Sequence, residues 1–265
     1  MQEYYFTELA NGIRAIHKEM NYTKIVHVGI MLDIGSRDED PEKQGIAHFW
    51  EHMAFKGTQK RRSFHIINRL ESLGGELNAY TTKEKICFYA SVLDIHIEKA
   101  IELLVDITFH SLFPEKQIEK ERQVILEEMS MYQDTPEDAI MDDFDELVFS
   151  AHPLGRNILG TEASVKNIKK EDFLKFVKTH LDFERIVFSC VGNISEKKIH
   201  RLIKKYFDHL IPRNSLRNRL FFSDYQPKQE EQRREISQVH YLMGLPAYNL
   251  HAPERIPFYL LTNIL

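Results

Sequence analysis

His48, Glu51 and His52 are the residues of this 265-residue chain whose types and spacing most directly imply chemistry. A helix advances about 100° per residue, so histidines four apart stand one turn apart and about 40° from each other. Glu51 falls about 60° to the other side of His48, on the same face. Two imidazole nitrogens can share one ion, and a carboxylate beside them can act as base at an open coordination position. That is the donor set of a catalytic zinc. An exposed helix that happens to carry these three residues has the same spacing, but the neighbours argue against it. Ile46, Ala47, Phe49, Trp50, Met53 and Phe55 make the stretch largely apolar. Three polar groups on a buried helix need a partner, and a metal ion supplies one.

Zinc with two histidines still needs a third protein ligand. The helical stretch from Glu121 to Glu128 offers it. Lys120, Gln123, Glu127, Ser130 and Asp134 fall on one polar stripe, which leaves Glu127 solvated. Glu121 and Glu128, seven apart and nearly superimposed in angle, share a face with Val124 and Ile125, where an unpaired carboxylate is costly. Periodicity disfavours Glu127 and leaves Glu121 and Glu128 both open.

These side chains need elements to hold them. Asn11-Gly12 between the strand-like residues 4–9 and 13–17 predicts a hairpin with a two-residue turn. A third strand at 25–34 ends at Gly35-Ser36. Asp40-Pro41 then offers a cap and a first-turn proline, predicting a helix from 42 to 55 that stops at Lys56-Gly57. A second helix at 63–73 ends at Gly74-Gly75, and strands at 76–82 and 86–92 flank the turn Lys83-Glu84-Lys85. Helical periodicity runs from 95 to 149 with a break at Phe113-Pro114. A short helix at 170–180, a strand at 186–191 and a helix opened by Ser195 follow. Residues 212–235 turn polar and charged, the composition of a linker between domains. Beyond it, residues 236–245 read as a strand and 253–265 as a helix. That helix reaches Leu265 without cap or glycine, which predicts a chain cut inside a second domain.

Composition narrows the function. With 43% apolar and 28% charged residues the chain is an ordinary soluble globular protein rather than a disordered one. A net charge of −5 with only short basic runs (Lys60-Arg61-Arg62, Arg233-Arg234) gives no footprint for nucleic acid. No apolar run approaches the roughly 18 residues of a membrane span. Cys87 and Cys190 sit in apolar, strand-like stretches and read as buried free thiols. With no basic leader before an apolar core at residues 1–6, the expected compartment is reducing and cytoplasmic.

The order His-x-x-Glu-His is the inverted zinc-peptidase motif, and most of residues 1–210 resembles the pitrilysin/insulinase family, which includes processing peptidases. The matching segments are Gly35-Ser36-Arg37, residues 48–58 (HFWEHMAFKGT), 73–82 (LGGELNAYTT), 121–128 (ERQVILEE) and 152–160 (HPLGRNILG). The resemblance implies an α+β fold, a mostly antiparallel sheet packed against helices. It implies one zinc per chain with His48, His52 and Glu128 as ligands, Glu51 as base, and Glu121 as a carboxylate that orients the ligands. It also implies an edge strand at Asn78, Ala79 and Tyr80 that binds peptide or unfolded protein substrates. Family members pair homologous halves. Residues 1–211 therefore read as the catalytic zinc domain and 236–265 as the opening of a second, homologous one, with a second domain or subunit, or a homodimer, as partner. The family's second half carries an arginine and a tyrosine that help bind substrate, so cleavage by this chain alone is expected to be low. Residues 180–183 lack the tyrosine and proline common at that point, a departure that bears on packing. A non-catalytic partner subunit and a closed structural zinc site are the competing readings. The second would need a fourth protein ligand, which the pattern does not place.

Overall fold

The computed structural model describes residues 4–215 and 217–264. Period-two apolar patterning builds six strands: β1 (Tyr5–Glu8), β2 (Arg14–Glu19), β3 (Ile25–Leu32), β4 (Glu76–Thr81), β5 (Ile86–Leu93) and β6 (Ile186–Gly192). They form one sheet in the order β1-β2-β6-β3-β5-β4. β2 and β6 pair in parallel, and the other four pairings are antiparallel. This is the α+β, mostly antiparallel architecture expected above.

One face of the sheet carries Val26, Val28, Ile30, Phe88, Ala90, Phe188 and Cys190, all buried. The helices α1 (Ile46–Ala54), α2 (Ser63–Glu71), α3 (Ile97–Phe109), α4 (Glu115–Asp134), α5 (Pro136–Val148), α6 (Glu162–Asn167), α7 (Lys170–His180) and α8 (Glu196–Phe207) complete this part of the chain. α3 is apolar enough to be buried along most of its length. α8 is more sharply divided: Ile199, Leu202, Ile203 and Phe207 go in, while its lysines stay in solvent. Both cysteines are buried and free.

Four expectations change. The turn between β1 and β2 is longer than two residues: Leu9 N–H donates to the Ile13 carbonyl, and Asn11 sends its amide across to the Phe207 carbonyl at 2.8 Å. The first helix begins at Ile46 rather than residue 42, because Gly45 takes the left-handed region (φ 88°) and interrupts it after a 3-10 turn at Pro41–Lys43. A second break, at Thr135-Pro136, divides α4 from α5, since proline lacks the N–H that would continue the helix. Residues 236–245 form no strand. Their N–H and C=O groups find no neighbouring strand among the described residues, and a strand is not stable alone.

The chain after α8 is not loose where it leaves the sheet. Arg219 donates to Asp33, Asp38 and Glu84, at 2.9, 2.6 and 3.5 Å. Arg217 pairs with Asp33 at 2.8 Å, and Phe222 packs on Phe149 and His152. Further on, α9 (Arg255–Thr262) buries none of its residues. Among the described residues no helix is long and apolar enough to cross a membrane.

Candidate metal centre

α1 crosses α4 and lies against the edge strand β4. Ile46, Ala47, Phe49, Trp50, Met53 and Ala54 are buried on it. Trp50 meets Phe88 and Phe176 edge-on, and Phe49 meets Phe173. That packing buries the apolar face of the helix, and His48, Glu51 and His52 lie toward α4 and β4.

Nitrogen atoms of His48 and His52 and a carboxylate oxygen of Glu128 lie within 4.8 Å of one another. His48 Nε2 is 3.8 Å from Glu128 Oε1, and His52 Nε2 is 3.7 Å from Glu128 Oε2. Donors bound at about 2.0–2.2 Å to a tetrahedral zinc stand roughly 3.3–3.6 Å apart. Each histidine approaches a different Glu128 oxygen to within tenths of an ångström of that spacing. One donor atom from each of the three residues lies within 4.8 Å of the others, so the donor types and their clustering fit the ion. Burial, then the neighbouring His52 ring, hold the His48 pKa down at about 3. Its ring is therefore neutral at pH 7 and its approach to Glu128 is not an ion pair. Neutral imidazole is the form that ligates metal. Burial pushes Glu128 above the ordinary carboxylate range, against the pull of His52, and a cation between them would reverse that cost.

The other two carboxylates stand around this group. Glu121 is buried, and its Oε2 lies 3.3 Å from His52 Nδ1, the ring nitrogen that faces away from Glu128. Lys56 holds its other oxygen at 2.7 Å. Burial pushes Glu121 up, but the hydrogen bonds from His52 and Lys56 outweigh it and leave the carboxyl below its ordinary range. An ionised Glu121 fixes the Nδ1–H tautomer of His52 and turns Nε2 toward Glu128. Glu51 accepts a 2.5 Å hydrogen bond from the Thr81 hydroxyl. Its pKa is raised, chiefly by burial and further by Glu128, against the pull of Thr81 and His52. Glu127 points into solvent. At the crossing of α1 and α4, Glu128 comes near both histidines, and Glu121 meets one from behind.

Asn78, Ala79 and Tyr80 lie on β4, one of the two edge strands of the sheet. Asn78 and Tyr80 are exposed on one side, with Tyr80 against Tyr89, while Ala79 is half-buried on the other with Thr81. What the three share is the strand's main chain. The Asn78 side-chain carbonyl accepts from the Ala79 N–H at 2.8 Å. One turn beyond Glu128, Tyr132, Asp142, Asn157 and Leu159 line a cavity of about 350 Å³ between α4, α5 and the loop before α6.

Reading the sequence missed Lys56 and Thr81. Lys56 sits four residues after His52, a spacing that could have pointed to it. Thr81 shares a strand face with Ala79, but nothing local pairs it with Glu51.

Fold and site define a class: an α+β domain that brings two imidazoles and a carboxylate to one point beside a free sheet edge. Residues 14–162 match the family model described as insulinase (peptidase family M16), and residues 167–265 match that of the peptidase M16 inactive domain. The chain belongs to peptidase family M16. It is 32% identical over 255 residues to the "uncharacterized zinc protease YmxG" of Bacillus subtilis, covering 96% of this chain and 62% of that protein. It is 39% identical over 204 residues to a probable mitochondrial-processing peptidase subunit beta of Arabidopsis thaliana, covering 77% of this chain and 38% of that one. A protease from Helicobacter pylori has the same fold, with a TM-score of 0.75 at 24% identity over 85% of this chain and 54% of its own. The chain thus spans less than two thirds of each of these proteins.

Proposed function

We propose that this chain is the metal-binding half of a zinc endopeptidase that hydrolyses peptides or unfolded polypeptides, completed by a second homologous domain or subunit. The observation that carries the reading is the convergence of His48 Nε2, His52 Nε2 and the Glu128 carboxylate, with Glu51 on the same helix face. His48, His52 and Glu128 would hold one zinc ion, which when bound supplies Lewis-acid polarisation of the scissile carbonyl and a more acidic water. Glu51 takes the proton of the attacking water and returns it to the departing amine. Its raised pKa suits this work, because a stronger base accepts the proton more readily. Thr81 holds the Glu51 carboxylate toward the site, and Glu121, steadied by Lys56, holds the His52 ring. The substrate pairs with the main chain of β4 at Asn78, Ala79 and Tyr80, a mode that tolerates many sequences. The cavity beside Tyr132 has room for a substrate side chain.

The rival reading, a non-catalytic partner subunit, draws on the inactive-domain match. That match begins at residue 167, after every residue of the site. The test is metal content together with cleavage of an unstructured peptide. About one zinc per chain is expected, lost in His48→Ala and in His52→Ala. Full zinc occupancy in both variants would sink the metal assignment. Zinc binding without cleavage, even after addition of a second homologous half, would favour the partner-subunit reading.

A further inference from the structure

The helix that carries the site starts in an unusual way. Gly45 is its N-cap, with φ 88° and no side chain to accept the free N–H groups of the first turn. The usual capping residues cannot stand there. A Cβ at position 45 would lie 2.3 Å from the Leu159 carbonyl oxygen, and the left-handed backbone disfavours any side chain. The approach is mutual, since a Cβ on Gly160 would lie 2.3 Å from the Gln44 carbonyl oxygen. The cap must therefore come from elsewhere in the chain.

It comes from Glu39, six and eight residues upstream of its two partners. Its Oε2 accepts from the Gly45 N–H and its Oε1 from the Ala47 N–H, both at 2.9 Å. The side chain is buried, and Arg156 donates to the Glu39 carbonyl at 3.1 Å, tying residue 39 to the loop that touches Gly45. Ala47 directly precedes His48. A carboxyl that holds both N–H groups sets where the first turn begins and how it is rotated. One turn later that rotation decides where the imidazoles and Glu51 point.

We propose that Glu39 is a positioning residue of the metal centre, a remote N-cap that fixes the start and rotation of α1 so that His48 and His52 meet Glu128. The proposal rests on the zinc reading above and deepens it. It assigns Glu39 no contact with substrate or metal.

The test compares the 265-residue chain with Glu39→Gln, Glu39→Asp and, as a control for general destabilisation, Asp106→Asn. Asp106 is equally buried but serves the Thr58 and Arg61 network away from the site. Glutamine keeps the volume but presents an amide nitrogen that cannot accept, and aspartate is too short to reach both N–H groups. Hydrogen exchange on metal-free protein, run above about pH 8 where Glu39 is ionised, should be about fivefold faster or more at residues 45–48 in Glu39→Gln, the scale of a lost cap. The zinc dissociation constant should rise about tenfold, as for other residues that orient ligands. Glu39→Asp should fall between, and it preserves the test if Glu39→Gln does not fold. Asp106→Asn should lower the melting temperature and leave both readouts near wild type. Unchanged exchange at 45–48 in the Glu39 variants would overturn the proposal. So would faster exchange with unchanged zinc affinity, which would make Glu39 a stabiliser of the helix alone. A wild-type chain that binds no zinc would instead remove the reading beneath it, an outcome visible before any variant is compared.

Discussion

Replacing Glu128 by glutamine removes the third donor's charge while keeping its volume. Both oxygens of Glu128 face imidazole nitrogens, at 3.8 and 3.7 Å. The variant keeps one oxygen and turns the other into an amide that cannot ligate. Glu121 differs, because it meets only His52, from behind, at 3.3 Å. Loss of a group that orients a ligand costs about 10- to 100-fold in metal affinity, or roughly 1.4–2.7 kcal/mol. A separation of 3.3 Å is long beside the roughly 2.7–2.9 Å of a strong charge-assisted bond. Glu121→Gln therefore belongs near the lower end, at about tenfold. Glu128→Gln removes a ligand and should exceed the whole range, by more than about 100-fold. Glu127 is exposed and touches none of the site, so Glu127→Gln should leave affinity unchanged. The assay is competition against a calibrated zinc chelator, on proteins matched for folded content by circular dichroism. Two results would refute the geometry: a larger loss in Glu121→Gln than in Glu128→Gln, or any substantial loss in Glu127→Gln.

Glu51→Gln should bind zinc as tightly as wild type and lose about 10²- to 10⁴-fold in peptide turnover, the range for a missing base; weakened zinc binding would make Glu51 a ligand instead. Thr81→Val removes the hydroxyl that pulls the Glu51 pKa down. The acidic limb of the pH–rate profile should then move to higher pH at unchanged zinc affinity, and a fixed limb would deny Thr81 its part. A stability measurement tests Glu39, which burial pushes up to about 8 against the pull of the Ala47 and Gly45 N–H groups. Between roughly 4.5 and 8 the folded chain holds a proton that the unfolded chain has released. Its stabilisation is complete below that window and is lost as pH rises through it, at up to about 1.4 kcal/mol per pH unit. Denaturant titrations of metal-free wild type and Glu39→Gln should show a stability difference that shrinks from pH 5 to about 8; a flat difference would mean that Glu39 titrates alike in both states.

The helix that carries His48, Glu51 and His52 was legible in the sequence because its signal is local. Two histidines one turn apart, a glutamate on the same face and an apolar remainder all fall within nine residues, Ile46–Ala54. The sheet was legible for the same kind of reason, since period-two patterning and turn residues mark each strand. The α4 donor was half legible. Periodicity sets Glu127 aside, but the choice between Glu121 and Glu128 depends on which turn of α4 crosses α1, and that is a property of the packed pair. Residues 236–245 show the converse. Their composition suits a strand, yet strand formation needs a neighbour, and among the described residues they have none.

The helix start failed for a more instructive reason. Asp40-Pro41 carries the signals of an N-terminus, and the structure uses them, but only for a 3-10 turn at Pro41–Lys43 that Asp40 caps by accepting from the Glu42 N–H at 3.0 Å. The helix proper waits for Gly45, whose role depends on the Leu159 carbonyl more than a hundred residues away. The groups that support the metal site share this character. Thr81 reaches Glu51 across 30 residues of sequence, and Lys56 reaches a carboxylate on another helix. Threonine, lysine and a buried glutamate carry no mark of such work in their types. The histidines and carboxylates proposed as ligands and base stand out in the sequence by their chemistry. The residues that hold them are chosen for position, which only the folded chain defines.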